Sequence, residues 1–391
     1  MAKVDIEISE EMLNWLTKKA IRNSDNASVH ELIDKWKNGE KRPTFAQVQK
    51  VSKDIKVPLG YFFLKSPPVE DRSLVEFRTI NSKNFDKEFS QDLLDTLYDM
   101  MDVQEWMRTY IKEEGGQPLS FVASCKNKVD VNEIVKNIRK NLCLEKNWHQ
   151  YVKHMNDAFS FLKSKCQDIG ILVMMNGIVG GNTRRKLDVH EFRAFVLVDL
   201  YAPLIFINTC DSQGGKIFSL LHEVVHLYLG VNNIFNESEF RRETVTGIEQ
   251  ICNQAAAELL VPMDSFTENW KGKNADDDIN KIMDLAKKFH CSPAVVARRA
   301  LDIGYIGNMT YQKTIGILIK QYENSVKNKA SGGNYYKTLG RRLDYRFVNA
   351  VENSVKNGRI SCTEAYRLTN TSRKTFDKMV KQLQGGVNFH E

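Results

Sequence analysis

The chain has 391 residues, 42% of them hydrophobic, which is enough for two or three domains that each bury a real core. Its 56 Lys and Arg against 49 Asp and Glu leave a formal charge of +7, an excess compatible with nucleic-acid contact but not one that demands it. Seven cysteines without a CxxC pair read as reduced thiols, the N-terminal MAKVDIEISEEML is too polar for a signal peptide, and no run of eighteen apolar residues could span a membrane, so a cytoplasmic protein is expected.

Four segments are expected along the chain: 1–66, 67–150, 151–308 and 309–391. In the first, ISEEMLNWLTKKA starts on a capping Ser9 and carries Leu13, Trp15 and Leu16 on an apolar face, the pattern of a helix. VHELIDKWKNGEKRPT reads as a helix through Trp36, stopped by Gly39, with Pro43 opening the next element. FAQVQKVSKDI is a further helix on which VPLGYFFL packs. SPPVEDRS at 66–73 is a linker by its proline pair and charge.

The second segment is a linker followed by a helical connector. FDKEFSQDLLDTLYDMMDVQEWMRTYIKEEGG has helical apolar spacing with Leu93, Leu97, Met100 and Met101 inward, and Gly115–Gly116 ends it. VNEIVKNIRKNLCL and the run around AFSFLKSKCQDIG are also helices. ILVMMNGIVGG is then β-rich, and RAFVLVD and LIFIN are short apolar strands with Pro203 at the turn between them. Arg184, Arg185 and Lys186 form either a contact for an acidic partner or a solvated basic turn.

IFSLLHEVVHLYLG reads as one buried helix. His222 and His226 are four apart, so they project from one face and can each give a nitrogen to one Zn²⁺. Glu223 can then reach a metal-bound water as general base. A buried helix needs a reason to carry two His and a Glu, because unpaired buried polar groups are costly. The third ligand is sought in IEQICNQAAAELLVP, a helix whose Ala255, Ala256 and Ala257 allow close packing. Glu249 is the best candidate and shares a face with Asn253. Glu258 lies on roughly the opposite side at 100° per residue and suits a salt bridge, while Glu243 sits in the loop EFRRETVTG. Cys252 reads as a small buried residue. For an oxyanion stabiliser Tyr228, His290 and Tyr305 stay open.

DDINKIMDLAKKFHCSPAVVARRALDIG reads as two short helices, with Ser292 capping the second before Pro293. The segment from 309 is rich in Lys and Arg. Its TEAYRLTNTSRKTFDKMV has a helix–turn–helix rhythm, which ordinary helix pairs share. The fold class expected overall is α+β and mostly helical.

HEVVHLYLG followed by IEQICNQAAAELLVP resembles the ImmA/IrrE family of metallopeptidases, with a gluzincin-type His, His, Glu ligand set. MMNGIVGGNTRRKLDVHEFRAFVLVDLYAPLIFINTCDS resembles the strands that run into that family's active-site helix. KWKNGEKRPTFAQVQKVSKDIKVPLGYFFL resembles the end of a Cro/repressor-type (XRE) helix-turn-helix domain, and FRT at 77–79 fits a subgroup in which both modules are fused. The chain departs from the repressor pattern where the helix before the recognition helix is missing or reduced to IRNSDNAS. If DNA is bound there, Lys35, Lys37, Lys41 and Arg42 are the candidate phosphate contacts.

The resemblance implies a zincin-type domain at 151–308 holding Zn²⁺ through His222, His226 and Glu249. It further implies an endopeptidase that cleaves a regulatory protein, a repressor or an antitoxin, with Glu223 as base. In a peptidase of this kind a sheet edge accepts the extended substrate by backbone pairing, and RAFVLVDL is the candidate edge. The alternative is an antitoxin or transcriptional regulator whose zincin fold binds a toxin partner and whose N-terminal domain binds DNA. Neither the substrate nor the oligomeric state is legible.

Overall fold

In the computed structural model, which describes residues 6–24, 26–55, 57, 59–67, 89–235, 247–271, 278–327 and 342–385, the chain divides between Tyr98 and Asp99 into two units. The FRT run, most of the SPPVEDRS linker and Glu243 lie outside the described residues.

In the first unit, helix α1 (Glu10–Asn23) starts where expected, Ser9 accepting from the Met12 N–H at 3.2 Å. Met12, Leu13, Leu16 and Ala20 form its buried face, while Trp15 is only half-buried against Tyr61. Helix α2 (Ala27–Lys37) begins after three residues, capped by Asn26. Among the described residues nothing helical separates α1 from α2, which is the departure that the sequence showed. Helix α3 (Phe45–Asp54) opens on Thr44 rather than Pro43, because Thr44 donates its N–H to the Gln47 side chain at 3.2 Å. Val29, Ile33, Trp36, Val48, Val51 and Phe62 complete a small core.

Helix α4 (Gln91–Glu113) crosses the division and buries Leu93, Leu97 and Met100, with Met101 only half-buried. It stops at the expected glycines. Gly115 takes φ +76, and the Gly116 N–H reaches back to the Ile111 carbonyl at 2.9 Å.

The second unit is built round a four-stranded sheet with the order β1-β3-β2-β4. Strand β1 (Leu172–Asn176) runs parallel to β3 (Leu204–Asn208). Strand β2 (Ala194–Leu197) is antiparallel both to β3 and to β4 (Asn233–Phe235). RAFVLVDL is therefore interior, not the edge expected: Val196 pairs with Ile205 on one side and Asn233 on the other. The edges are β1 and β4, and the three residues of β4 were too few to register as a strand.

Helix α7 (Gln213–Leu229) lies in one core with Val173, Ala194, Val196, Ile205 and Ile207 of the sheet. Helices α5 (Val131–Leu142), α6 (Met155–Asp168) and α8 (Ile248–Leu260) add Ile138, Leu162 and Leu259 to it. The Trp148 indole N–H donates to the Leu259 carbonyl at 3.1 Å. Residues 121–148 thus share the core that was assigned to 151–308, which removes any division at 150. Next come α9 (Met263–Lys271), α10 (Asp278–Lys288), α11 (Pro293–Asp302), capped by Ser292 as expected, and α12 (Asn308–Lys327). No described helix is long and apolar enough to cross a membrane.

Helices α13 (Tyr345–Lys356), α14 (Cys362–Leu368) and α15 (Arg373–Gly385) belong to the same unit, again without the boundary expected at 308. Asp344 shows why. Its carboxylate is wholly buried and accepts from the Val173 N–H of β1 at 3.0 Å, from the Gln167 amide at 2.9 Å and from the Arg346 N–H at 2.9 Å. One side chain caps α13 and occupies a backbone donor of the edge strand β1. Asp344→Ala would orphan buried donors costing about 1–3 kcal/mol each and lose a cap, so a loss of about 3 kcal/mol or more is expected in urea unfolding. A loss below about 1 kcal/mol would mean that water replaces the carboxylate at no cost.

Candidate metal centre

Helix α7 is fixed at both ends by local chemistry. At its start Ser212 accepts from the Gly215 N–H at 3.0 Å. A Cβ at Gly215 would stand 2.4 Å from the Asp211 carboxylate, so only glycine admits this approach. Asp211 in turn accepts from Arg193 at 3.1 Å. At the other end Gly230 adopts φ +71, and the Val231 N–H closes on the His226 carbonyl at 3.1 Å. From Ile217 to Leu229 every residue is buried.

That burial encloses His222, Glu223 and His226, each 0% exposed. Their helical spacing puts the two imidazoles on one face, and the Nε2 atoms lie 3.1 Å apart. Helix α8 packs across that face with Cys252, Ala255 and Ala256 buried. Its first turn carries Glu249, whose two oxygens stand 3.2 Å from His222 Nε2 and 3.3 Å from His226 Nε2. Two imidazole nitrogens and one carboxylate thus converge on one spot, with one carboxylate oxygen facing each ring. Asn253 lies one turn further along α8. Cys252 also approaches: His222, His226 and Cys252 offer atoms all within 4.8 Å of one another.

Electrostatics follow the burial. Burial by itself would push the Glu249 carboxyl up, but hydrogen bonds and charge from His222 and His226 outweigh it and hold the group well below the usual carboxylate range. His222 is shifted down by burial, against the pull of Glu249. The Cys252 thiol is pushed well up by burial and then by the charges of Glu249 and Glu223, which keeps it protonated.

Glu258, the first rival for third donor, lies elsewhere on α8, where it accepts from Arg299 at 2.9 Å and from the Met263 N–H at 3.2 Å. It is the salt-bridge residue of the alternative reading. All three oxyanion candidates are engaged in other surroundings. Tyr228 is buried against Phe121. His290 bonds the Val152 carbonyl at 3.0 Å, and Tyr305 stacks on Trp270 and Phe266. In the first unit Lys37, Lys41 and Arg42 are exposed, whereas Lys35 is half-buried and bound to Glu31 at 2.6 Å. Lys35 is therefore the weakest of the four proposed phosphate contacts.

Sequence reasoning missed Asn208 and Asp211, both buried just before α7. Asn208 donates to the Phe192 carbonyl at 3.0 Å and accepts from the Cys210 N–H at 3.0 Å, shaping the turn that aims the helix. The signal was present in NTCDSQGG, a cluster of Asn, Asp and Ser ahead of two glycines.

Residues 166–301 match the Peptidase_M78 family model, described as an IrrE N-terminal-like domain. Residues 343–382 match a domain of unknown function, DUF8813. No curated protein and no solved structure gives a significant match. The first match supports an ImmA/IrrE-type peptidase domain and suggests a metallopeptidase type of function; it spans the two histidines and Glu249. Neither match reaches the N-terminal unit.

The converging donor set makes a prediction about metal content. Outer-shell changes at metal sites cost roughly 10–100-fold in affinity, and loss of a ligand should cost more. Glu249→Ala, like His222→Ala, should therefore purify without metal, while Cys252→Ser keeps about one ion per chain by elemental analysis. Loss of metal in the Cys252 variant alone would show that the thiol is the third ligand.

Proposed function

We propose that the second unit is a zinc-dependent endopeptidase whose metal is held by His222, His226 and Glu249. The observation that carries this reading is the convergence of the two Nε2 atoms, 3.1 Å apart, with the Glu249 carboxylate, which sets one oxygen 3.2 Å from His222 and the other 3.3 Å from His226. Ligands 2.0–2.1 Å from a tetrahedral ion lie about 3.3 Å from one another, so donor separations of this size suit such an ion and would leave a fourth position open. Bound there, Zn²⁺ would supply Lewis acidity, polarising a carbonyl and bringing the pKa of a water towards neutral.

The chain's own residues do the rest. Glu223, beside the first histidine and wholly buried, is the proton carrier: it accepts a proton from the water that attacks the scissile carbonyl and hands it to the leaving nitrogen. The Ser212 and Gly230 caps keep α7 from rotating the imidazoles out of register. The substrate proposed is a regulatory protein, a repressor or an antitoxin, and the site of action is the cytoplasm. The other reading keeps the zinc fold as a scaffold that binds a toxin, with the N-terminal unit on DNA through Lys37, Lys41 and Arg42. A buried carboxylate adjoining the first ligand favours the peptidase, since a purely structural ion does not need a base.

Glu223→Gln separates the two readings. It preserves volume and leaves the three donors in place, but removes a base worth typically about 10²–10⁴-fold in rate. Co-expressed with the product of the neighbouring gene and followed by immunoblot, the native chain should shorten that protein. The variant should leave it intact and still carry metal. Equal cleavage by both forms would rule out the mechanism, and a variant biologically indistinguishable from the native chain would favour the scaffold.

A further inference from the structure

The C-terminal helices hold a charged surface that the metal centre does not use. Residues 343–385 contain 8 Lys and Arg against 4 Asp and Glu, more than half of the whole chain's excess of +7. Helices α14 and α15 are joined by the turn 369–372, in which Asn370 takes φ +49 and the Thr371 N–H closes on the Tyr366 carbonyl at 2.9 Å. Ser372 then starts α15: its carbonyl accepts from the Phe376 N–H at 2.8 Å, and its N–H donates to Thr375 Oγ1 at 2.7 Å. Phe376, Met379 and Val380 face inward with Ala365 and Leu368, and Tyr366 meets Phe376 edge-on at 5.7 Å. Helix α13 closes the trio with Phe347 and Val351 buried. A short helix, a four-residue turn and a longer helix over a third is an arrangement that helix-turn-helix modules share.

The face of α15 opposite its buried stripe carries Arg373, Lys374, Lys378 and Lys381, all exposed, with Asp377 the one carboxylate among them. Arg373, Lys374 and Lys381 form no ion pair with any described residue. The hairpin that carries the basic turn meets the turn before α15. Residues 178–186 close into a hairpin through an Ile178–Lys186 bridge, and Asn370 packs against Gly180 and Gly181 at its tip. Arg184 and Lys186 of this hairpin are exposed. Two elements far apart in sequence, each carrying exposed cations, thus meet at Asn370 on one unit.

We infer that residues 343–385, together with the 178–186 hairpin, form a double-stranded DNA-binding surface, with α15 entering the major groove and the hairpin contacting flanking phosphate. Charge complementarity selects the partner: cations on the recognition helix and on a second element beside it match a duplex carrying one negative charge per about 1.7 Å of axis. The proposal is independent of the metal centre and of the N-terminal unit.

Fluorescence polarisation of the full chain on a fluorescein-labelled mixed-sequence 30-base-pair duplex, from 50 to 200 mM salt, tests it. The native chain should bind with a steep salt dependence. Changing Arg373, Lys374 and Lys381 together to Ala should reduce the slope of log affinity against log salt by about 2–3 and weaken binding about ten-fold or more. These side chains are exposed, so metal content and circular dichroism should stay native. Arg184→Ala with Lys186→Ala should lower the slope by a further 1–2 or so. Removing Lys126, Lys153 and Lys313, exposed but elsewhere, should leave the affinity within about three-fold. No binding by the native chain at 50 mM salt would overturn the assignment, as would an equal loss in the control variant. So would loss only on changing Lys37, Lys41 and Arg42, or tighter binding to single-stranded RNA of the same length.

Discussion

The second unit depends on one unfavourable act: burying two imidazoles and a carboxylate on a helix that has no solvent-facing side. Uncompensated, such groups cost several kcal/mol each, of the order of a whole domain's stability. Most of the architecture round α7 is compensation for that act. Helix α8 brings a carboxylate to both Nε2 atoms, and its small Ala255 and Ala256 let it come close enough to do so. The sheet supplies Val173, Val196 and Ile205 as a dry floor. The caps at Ser212 and Gly230 fix the rotation of the helix on which that convergence depends. A cation among three converging donors turns the cost into a gain, because attraction between opposite charges strengthens in a medium of low dielectric.

What the sequence disclosed follows from which signals are local. The spacing of His222 and His226 and the unbroken apolar run around them are properties of one helix. The placement of Glu249 against Glu258 is also a matter of phase along one helix, and the two carboxylates separate as the 100° step requires. Tyr228, His290 and Tyr305 were open because composition says nothing about which neighbour a ring will meet, and each is taken up by packing or by a backbone carbonyl. The misplaced edge has the same origin. Strand β4 is three residues long, and its pairing with β2 is a fact about a partner nearly forty positions away.

Docking between segments is hard to read for a related reason. Linkers announce themselves by proline and charge, but docking does not. Asp344 looks in sequence like an ordinary helix cap, and it is one. That the same carboxylate also reaches β1 and Gln167 depends on residues about 170 positions earlier. Through that contact, and through Trp106 set edge-on to Phe347 at 5.6 Å, the C-terminal helices become part of the unit that holds the metal centre. A basic recognition surface on that unit would put DNA contact and hydrolysis in one body, so that the enzyme proposed here would act where its regulatory substrate resides.

The identity of the third metal ligand decides most. Glu249 and Cys252 both approach the paired histidines, and they differ in the element they offer the ion. X-ray absorption at the metal edge of the zinc-loaded full chain reads that difference directly. Only nitrogen and oxygen scatterers at about 2.0–2.1 Å are expected; a sulfur shell at about 2.3 Å would contradict the ligand set and with it the open, water-activating site.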